Sequence, residues 1–523
     1  MKLVDTEVFI DFTKNQPHTL GNLSVVFVSL YLEHYRVSNS SENSDNLLQT
    51  PGCKTDNVLV SGVANTTRHL LLLKDHKHTL LGLNAGCLSG TKEISPWTKI
   101  VEVTFPDDLS SASNILEVQD ALTFLEKILE TPFIGHNRRK IRQEAIELGI
   151  LPEHGLLSHK KWQALPLFRR FIHGLHCGAT DLLIFAMLTA KLSFLGSSVA
   201  DLNGSDFLIA YIQRLNKISS GIIGKYMDIV REINIEQLSK LSNNYIEENN
   251  DILASTELEG VAVDPSNVLA EKTINKINMI VSEYPYTEHS DVPVDWDLLN
   301  DCLKPQRNLK NNVSKMQQLQ SMLAGVSLCI SHLKSLYSSK IRIVDFCSGG
   351  GHLGIFLAHQ FPECQVILVE TKWGSLRYAK DRIDKLGLVN TTLCLAHMGQ
   401  FCGKFELGVS LHACGSATDI VIEHCLRKNA AIVSSPCCYG KIVNSSNITY
   451  PKSKQFADEI FQSGKYFTVS KLADHESENE MFMKCIDIDR IKHIKDNDYQ
   501  FASISKLKPL TCSPKNNLIV AFK

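Results

Sequence analysis

The chain has 523 residues, which is too long for one hydrophobic core and predicts two or three domains. With 44% hydrophobic and 21% charged residues and a net charge of -2, it is typical of globular proteins, and nothing in it requires a nucleic-acid or membrane surface. Fifteen cysteines without a C-x-x-C pair, and an N-terminal apolar run interrupted by acids, predict a reduced cytoplasmic protein.

Residues 1–100 mix short apolar runs with polar stretches, so we expect a small α/β region. The predicted elements are strands at 8–12, 58–60 and 70–73, a helix at 23–35 and a loop at 38–54. The apolar run at 23–32 is too short to cross a bilayer. No residue in this region suggests a catalytic role.

Residues 101–240 are predicted to be helical, with apolar faces at 116–128, 182–195 and 207–218. The basic stretch at 136–142 is interpreted as a solvated helix face. Residues 241–292 form an acidic linker with one helix at 270–283. Residues 293–523 make the second large domain, which begins with a helix at 305–323.

From Ile341 onward short strands alternate with helices, which predicts a parallel sheet with helices on both faces. The predicted strands are 341–344, 366–369, 392–395, 407–411 and 431–434, and the predicted helices are 352–361, 374–386 and 418–427. Ligands of such sheets bind beyond the carboxyl ends of the strands.

A glycine turn joins the first predicted strand of this domain to its helix, in the pattern Asp345-x-Cys347-x-Gly349-x-Gly351. Glu370 ends the next strand, about twenty residues later, where an acid suits a ribose diol. A dinucleotide site favours G-x-G-x-x-G. The acid before the loop resembles the S-adenosylmethionine (SAM) pattern, in which a carboxylate and glycine backbone face the amino-acid end of the cofactor. SAM is therefore favoured over NAD, and we expect Gly351→Val to abolish binding without disturbing the fold.

Polar and sulfur-bearing residues follow the two later strands: His412 and Cys414 in one stretch, Cys437 and Cys438 in the other. Taken singly, His412 suits a core histidine and the cysteines suit small buried hydrophobes. Their shared place at one sheet edge favours a catalytic role, with His412 as base. Zinc is the rival interpretation. We expect no metal, because the side chains of adjacent Cys437 and Cys438 diverge and the spacing is unusual for zinc.

Three residues close in sequence to these cysteines also have predicted roles. Tyr439 is predicted to stack on a planar acceptor such as a nucleobase. Ser416 and Asp419 are predicted to form a capping box at the helix that follows Cys414, which gives Asp419 a structural role.

The stretches DFCSGGGHLG, VET, LHACGSATD, SPCCYG and CSPKNNLIVAF resemble a group of SAM-dependent methyltransferases, including tRNA 2′-O-methyltransferases with a double cysteine. Upstream, Asp181 opens an apolar helix in a manner similar to the C-terminal domain of glutathione transferases. The whole chain resembles the glutathione S-transferase C-terminal domain-containing protein family.

This resemblance implies a Rossmann-like class I methyltransferase domain at 293–523, an all-α glutathione-transferase-like domain at 101–240 and a degenerate thioredoxin-like region at 1–100. It implies that Asp345 to Gly351 hold the methionine part of SAM, Glu370 the ribose, and Lys372 or Trp373 the adenine. The zinc-finger cysteines of the tRNA enzymes have no counterpart in this sequence.

The resulting prediction is a SAM-dependent methyltransferase whose acceptor is unknown, with RNA as one class. Two alternatives remain: a catalytically silent scaffold with a methyltransferase fold, and a glutathione-binding transferase. Self-association or a protein partner through the helical domain is also expected, and no membrane contact.

Overall fold

A computed structural model of the chain describes two compact units. The first takes in residues 1–56 and 60–246, and the second takes in 57–59 and 247–523. The described residues are 6–10, 36–39, 52–55, 58–61, 112–131, 138–151, 166–172, 175–232, 271–289, 292–305, 309–337, 340–445, 448–459, 463–474 and 479–523, with isolated helical residues between 23 and 28, between 66 and 70, and at 109. Within these residues, no helix combines the length and the apolar character needed to cross a membrane.

The described N-terminal region contains four short strands beside its isolated helical residues: β1 (Thr6–Ile10), β2 (Arg36–Asn39), β3 (Gly52–Thr55) and β4 (Val58–Ser61). β1 pairs in parallel with β2 and antiparallel with β3. The α/β character is as predicted, while the thioredoxin-like interpretation stays a prediction.

Two predictions for this region are wrong. Leu70 is helical, not extended, because an unbroken apolar run has no period that separates a buried helix from a strand. β2 and β3 occupy both ends of the predicted loop at 38–54. The middle of that loop lies outside the described residues, as do 71–73.

The longer elements in the rest of the N-terminal unit, where described, are helices. Its helices are α1 (Ile115–Glu130), α2 (Arg138–Glu147), α3 (Ala179–Phe194), α4 (Asp206–Ile218) and α5 (Ile223–Glu232). Asn114 caps α1 by accepting hydrogen bonds from the amides of Leu116 and Glu117. The basic stretch at 136–142, which was predicted to form a solvated helix face, includes the first residues of α2.

Asp181 fixes the start of α3 from inside the core. Its carboxylate accepts hydrogen bonds from the Gly178 amide at 2.7 Å, the Ile172 amide at 3.0 Å and the Tyr211 hydroxyl at 3.1 Å. Gly178 has no side chain to cap the helix, so the acid supplies the cap alone. Burial raises the pKa of Asp181 to about 6.

The C-terminal unit alternates strands with helices. Its helices are α6 (Glu271–Glu283), α7 (Leu309–Leu336), α8 (His352–Gln360), α9 (Trp373–Leu386), α10 (Ser416–Lys428), α11 (Lys454–Glu459), α12 (Ser463–Leu472) and α13 (Asn479–Asp496). Its strands are β5 (Arg342–Phe346), β6 (Gln365–Glu370), β7 (Thr391–Leu395), β8 (Leu407–Cys414), β9 (Ala431–Cys437), β10 (Phe501–Lys506) and β11 (Asn517–Phe522).

These strands lie in the order β7-β6-β5-β8-β9-β11-β10. The first five are mutually parallel, whereas β11 runs antiparallel to both β9 and β10. The sheet is therefore mixed and not wholly parallel as predicted. The chain order reverses between β5 and β8, so a ligand crevice is expected at the carboxyl ends of these two strands.

A fully buried ion network fixes α10 against α13. Arg490 donates to both oxygens of Asp419, at 2.8 and 2.7 Å, and to Asp487 at 2.9 Å. The Tyr450 hydroxyl donates to Asp419 at 2.6 Å, and the Tyr439 hydroxyl donates to Asp487 at 2.7 Å. Every charge in the network has partners, which is the condition for keeping ions in a core.

The structural role of Asp419 is therefore confirmed, but the capping box is wrong. Gly415 is the N-cap of α10, and Ser416 is its first residue. The Ser416 hydroxyl exchanges hydrogen bonds with the backbone of Val443.

We expect Asp419→Ala to lower the free energy of unfolding by about 3–5 kcal/mol, because it leaves the buried Arg490 guanidinium partly unpaired. Asp384→Ala is the matched control: it breaks the exposed Lys380–Asp384 pair and should cost less than about 1 kcal/mol. Urea titration followed by circular dichroism measures both. Equal effects of the two substitutions would show that the network does not stabilise the core.

Candidate functional site

A glycine loop follows β5 at the point where the strand order reverses. Cys347, Gly349 and Gly351 all have left-handed backbones, with φ of 57°, 56° and 72°. A Cβ at Gly351 would lie 2.8–2.9 Å from side-chain atoms of Leu368, Ala379 and Ile355. A side chain there would disturb the packing of the domain, so the expectation that Gly351→Val spares the fold is wrong.

Two carboxylates hold the loop. Asp345, which lies in β5, accepts a hydrogen bond from the Gly354 amide in the first turn of α8 at 2.8 Å. Glu370 accepts from the Gly349 amide at 2.8 Å, from the Lys372 amide at 2.9 Å and from Thr371 Oγ1 at 3.2 Å. Both acids predicted to bind a cofactor thus also orient the turn.

Burial controls the charge of two groups in this loop. It raises the pKa of Asp345 to about 7, an effect that the Gly354 amide and Lys315 partly offset. Burial, with the carboxylates of Glu370 and Asp345, raises the pKa of the Cys347 thiol to about 12. Cys347 is therefore a neutral thiol at neutral pH.

Three features of the loop leave space or hydrogen-bonding positions for a ligand. The Ser348 hydroxyl oxygen is buried and has no hydrogen-bond partner among the described residues. A Cβ built on Gly349 would meet no atom of the described residues within 4 Å. A carboxylate offers about four acceptor positions, and the Glu370 hydrogen bonds take three of them.

The residues predicted to border an adenine lie directly after Glu370. Trp373 begins α9 and is half-buried, and Lys372 is its exposed N-cap. Both residues lie between the end of β6 and the first turn of α9. The hydrogen bond from the Lys372 amide to Glu370 keeps them beside this carboxylate.

Backbone strain marks the ends of three strands of the sheet. Cys347 follows β5, His412 lies near the end of β8, and Cys438 follows β9, with φ of 57°, 70° and 50°. Residues other than glycine rarely adopt this conformation, and where they do so the site is often functional. At His412 the strain accompanies a register shift between Leu411 and Cys414.

His412 is held by Gln318 of α7, a residue that the sequence did not single out. The Gln318 amide nitrogen donates to the Cys512 carbonyl at 2.8 Å, so its oxygen is the atom that faces His412 Nε2 at 3.0 Å. An oxygen can only accept, so Nε2 carries the proton and Nδ1 carries the lone pair in neutral His412.

Three of the predicted cysteines come together at the ends of β8 and β9. The sulfur atoms of Cys414, Cys437 and Cys438 all lie within 4.8 Å of one another, and those of Cys414 and Cys437 are 3.3 Å apart. The prediction that the side chains of Cys437 and Cys438 diverge is wrong, because the left-handed backbone at Cys438 turns its side chain back. Burial raises the pKa of both these thiols.

Tyr439 does not stack on a ligand, contrary to the prediction. Its side chain is fully buried, and its hydroxyl donates to Asp487 in the ion network. Tyr439 begins a short 3-10 turn and is buried there.

Comparison with known proteins agrees with this geometry. Residues 314–445 match a family model described as a methyltransferase domain, and this stretch contains the glycine loop and strands β5 to β9. Together with the sheet order, the match defines a methyltransferase-like Rossmann fold with a mixed sheet.

Curated relatives extend along most of the chain. The glutathione S-transferase C-terminal domain-containing protein of Xenopus laevis is 30% identical over 510 residues, which cover 84% of this chain and 81% of that protein. The Homo sapiens protein of the same name is 29% identical and covers 89% of this chain and 84% of its own length. The chain belongs to the glutathione S-transferase C-terminal domain-containing protein family, as the sequence predicted.

Solved structures resemble this chain only distantly. Magnesium protoporphyrin IX methyltransferase from Synechocystis PCC 6803 with bound SAM is 14% identical, with 42% of this chain and 86% of that chain covered and a TM-score of 0.25. An rRNA methylase from Streptococcus thermophilus is 14% identical, with 35% and 86% covered and a TM-score of 0.20. At these values neither similarity carries a conclusion about this chain.

The raised pKa of Asp345 predicts a pH-dependent stability. Its folded-state pKa of about 7 lies above the usual value of about 3.9 for an unfolded chain. The contribution of this carboxyl to stability is therefore fully present below about pH 4 and is lost as the pH rises through about 7. We expect the loss to approach about 1.4 kcal/mol per pH unit within this window.

Asp345→Asn should remove this part of the pH dependence, because an amide does not titrate. Asp381→Asn, at an exposed position on α9, is the control and should keep it. Urea titrations between pH 4 and pH 8 measure the slopes. A slope in Asp345→Asn as steep as in the wild type would contradict the assignment.

Proposed function

We propose that the C-terminal unit binds SAM at the glycine loop and transfers its methyl group to an acceptor at the ends of β8 and β9. The observation that carries this proposal is the pairing of Glu370 with the Gly349 amide beside the buried Ser348 hydroxyl, which has no hydrogen-bond partner in the described part of the chain. The family-model match to a methyltransferase domain supports the same assignment.

The loop residues fit the cofactor by chemistry. Glu370 has an acceptor position left for a ribose hydroxyl, and the Ser348 hydroxyl supplies a further hydrogen bond. The space next to Gly349 lets a ligand approach the backbone closely. Asp345, Cys347 and Gly351 shape the side proposed for the methionine part, and Lys372 and Trp373 border the adenine.

SAM, when bound, supplies an already activated methyl group on its sulfonium. The protein therefore contributes mainly by holding the acceptor in line, which can account for a large part of the rate. His412, Cys414, Cys437 and Cys438 are the residues proposed to hold it, because they end the two strands next to β5 on the acceptor side.

His412 is proposed to remove the acceptor's proton through Nδ1. Gln318 supports this role because it fixes the proton of the neutral ring on Nε2. Cys437 and Cys438 do not compete for this role as free thiols, because burial raises the pKa of both. They form a wall of the acceptor site.

For the methyl acceptor, the proposal names a chemical class. RNA is the first class to test, because the stretches around Cys414 and Cys437 resemble those of tRNA methyltransferases. With Tyr439 buried, stacking on this ring no longer supports a nucleobase. The choice of RNA therefore rests on the resemblance alone.

We expect the full chain to bind SAM in the micromolar range, about -8 kcal/mol, and Gly349→Leu to abolish binding by filling the open space beside the loop. Gly387→Leu is a closely matched control. Gly387 ends α9 with φ of 64°, against 56° for Gly349, and a Cβ there would also meet nothing within 4 Å in the part of the chain that the structure describes.

Both substitutions should reduce stability by similar amounts, because both place a side chain on a left-handed backbone. Isothermal titration calorimetry separates the two effects. If Gly349→Leu and Gly387→Leu bound SAM equally well, the glycine loop would not be the cofactor site.

We expect His412→Ala to lower methyl transfer by about 10²–10⁴-fold while the SAM dissociation constant changes by only a few-fold. Gln318→Leu should lower it less, because the ring remains but its tautomer is no longer fixed. Transfer of labelled methyl from SAM to total RNA gives the readout, and calorimetry gives the affinity.

The control is His359→Ala, at an exposed position of α8 away from the strand ends. It should leave transfer unchanged. Undiminished transfer by His412→Ala would exclude His412 as the base. Tight SAM binding without transfer to RNA, protein or small thiols would favour a silent scaffold.

A further inference from the structure

The sulfur cluster at the ends of β8 and β9 has a geometry that methyl transfer alone does not require. Cys414 lies opposite Cys437 in the parallel register of the two strands. Cys438 adds the third sulfur through its left-handed backbone, with φ of 50°. This triplet is the one group of at least three potential metal ligands within such distances in the part of the chain that the structure describes.

The spacing of the sulfurs matches a tetrahedral metal site. With metal–sulfur bonds of about 2.3 Å, two thiolates on one zinc ion lie about 3.8 Å apart. The sulfurs of Cys414 and Cys437 are 3.3 Å apart, and all three lie within 4.8 Å of one another. Shifts of a few tenths of an ångström to about one ångström would bring all three onto one ion.

We propose that Cys414, Cys437 and Cys438 bind a soft, thiol-preferring metal ion, with zinc as the principal candidate. Thiolates select zinc and copper(I) over hard cations such as magnesium. The sequence argument against zinc had two parts, diverging side chains at Cys437 and Cys438 and an unusual ligand spacing, and the structure removes the first.

The site keeps one coordination position open. Three ligands leave a tetrahedral ion with a place for water or an acceptor atom, the pattern of zinc sites that act on substrates. Cys414 is exposed and Cys438 is half-buried, so an ion can enter from solvent, while Cys437 anchors the site from inside the sheet. Three thiolates on a divalent ion also leave a net negative charge at the mouth of this crevice.

Strand geometry holds the ligands in place. The Gly415 amide donates to the Cys437 carbonyl at 3.1 Å, which joins the end of β8 to the end of β9. A Cβ at Gly415 would lie 2.6 Å from the Lys441 carbonyl oxygen, so the turn after Cys414 lies against the turn after Cys438. The two ligand-bearing segments therefore cannot separate easily.

This inference goes beyond the proposed methyl transfer and does not depend on it. A chain that binds zinc without SAM would refute only the cofactor assignment, and a chain that binds SAM without zinc would refute only the metal site.

The test uses the full chain, purified under reducing conditions without chelators and with added zinc chloride. We expect about one zinc per chain by elemental analysis, and X-ray absorption with about three sulfur neighbours near 2.3 Å. Cys414→Ser and Cys438→Ser should each lose most of the zinc. These two positions are exposed and half-buried, so the substitutions spare the core.

Cys402→Ser is the matched control, because Cys402 is half-buried and lies outside the cluster. It should keep the full zinc content. Copper(I) bound by the same three sulfurs would also support the site. No stoichiometric metal, equal metal in all variants, or a Cys414–Cys437 disulfide that persists under reduction would overturn it.

Discussion

The hydrogen bond from the Gly349 amide to the Glu370 carboxylate is the interaction on which the site depends. It ties the loop after β5 to the end of β6, while Asp345 ties the start of α8 to β5. Glu370 reaches the Gly349 amide because β5 and β6 pair in one register, with Asp345 opposite Leu368. A slip of β6 by one residue would turn the Glu370 carboxylate to the other face of the sheet, away from the Gly349 amide.

The sequence predicted most of the central sheet, for physical reasons. Strands buried on both faces appear as apolar runs, and β5 to β9 were located to within a few residues because glycines and helical periods interrupt those runs. Helix α13 was not predicted. Its buried face carries Asp487, Asp489 and Arg490. Because these charged residues take buried positions, the sequence lacks the apolar periodicity that indicates a helix.

At the site, local features were predictable and tertiary ones were not. Asp345, Glu370 and the glycines follow from a strand–turn–helix pattern. Gln318 lies 94 residues from His412 in the sequence, and only the packing of α7 joins them. The convergence of Cys437 and Cys438 was missed because it depends on a left-handed φ at a residue with a side chain, a conformation that sequence patterns seldom reveal.

The central claim is that the glycine loop binds a sulfonium nucleoside and not a dinucleotide. Calorimetric titration of the full chain with S-adenosylhomocysteine, the demethylated product of SAM, and in parallel with NADH tests it most directly. The account predicts saturable heat from S-adenosylhomocysteine with one site per chain, and none from NADH. Binding of NADH with no heat from S-adenosylhomocysteine would contradict it.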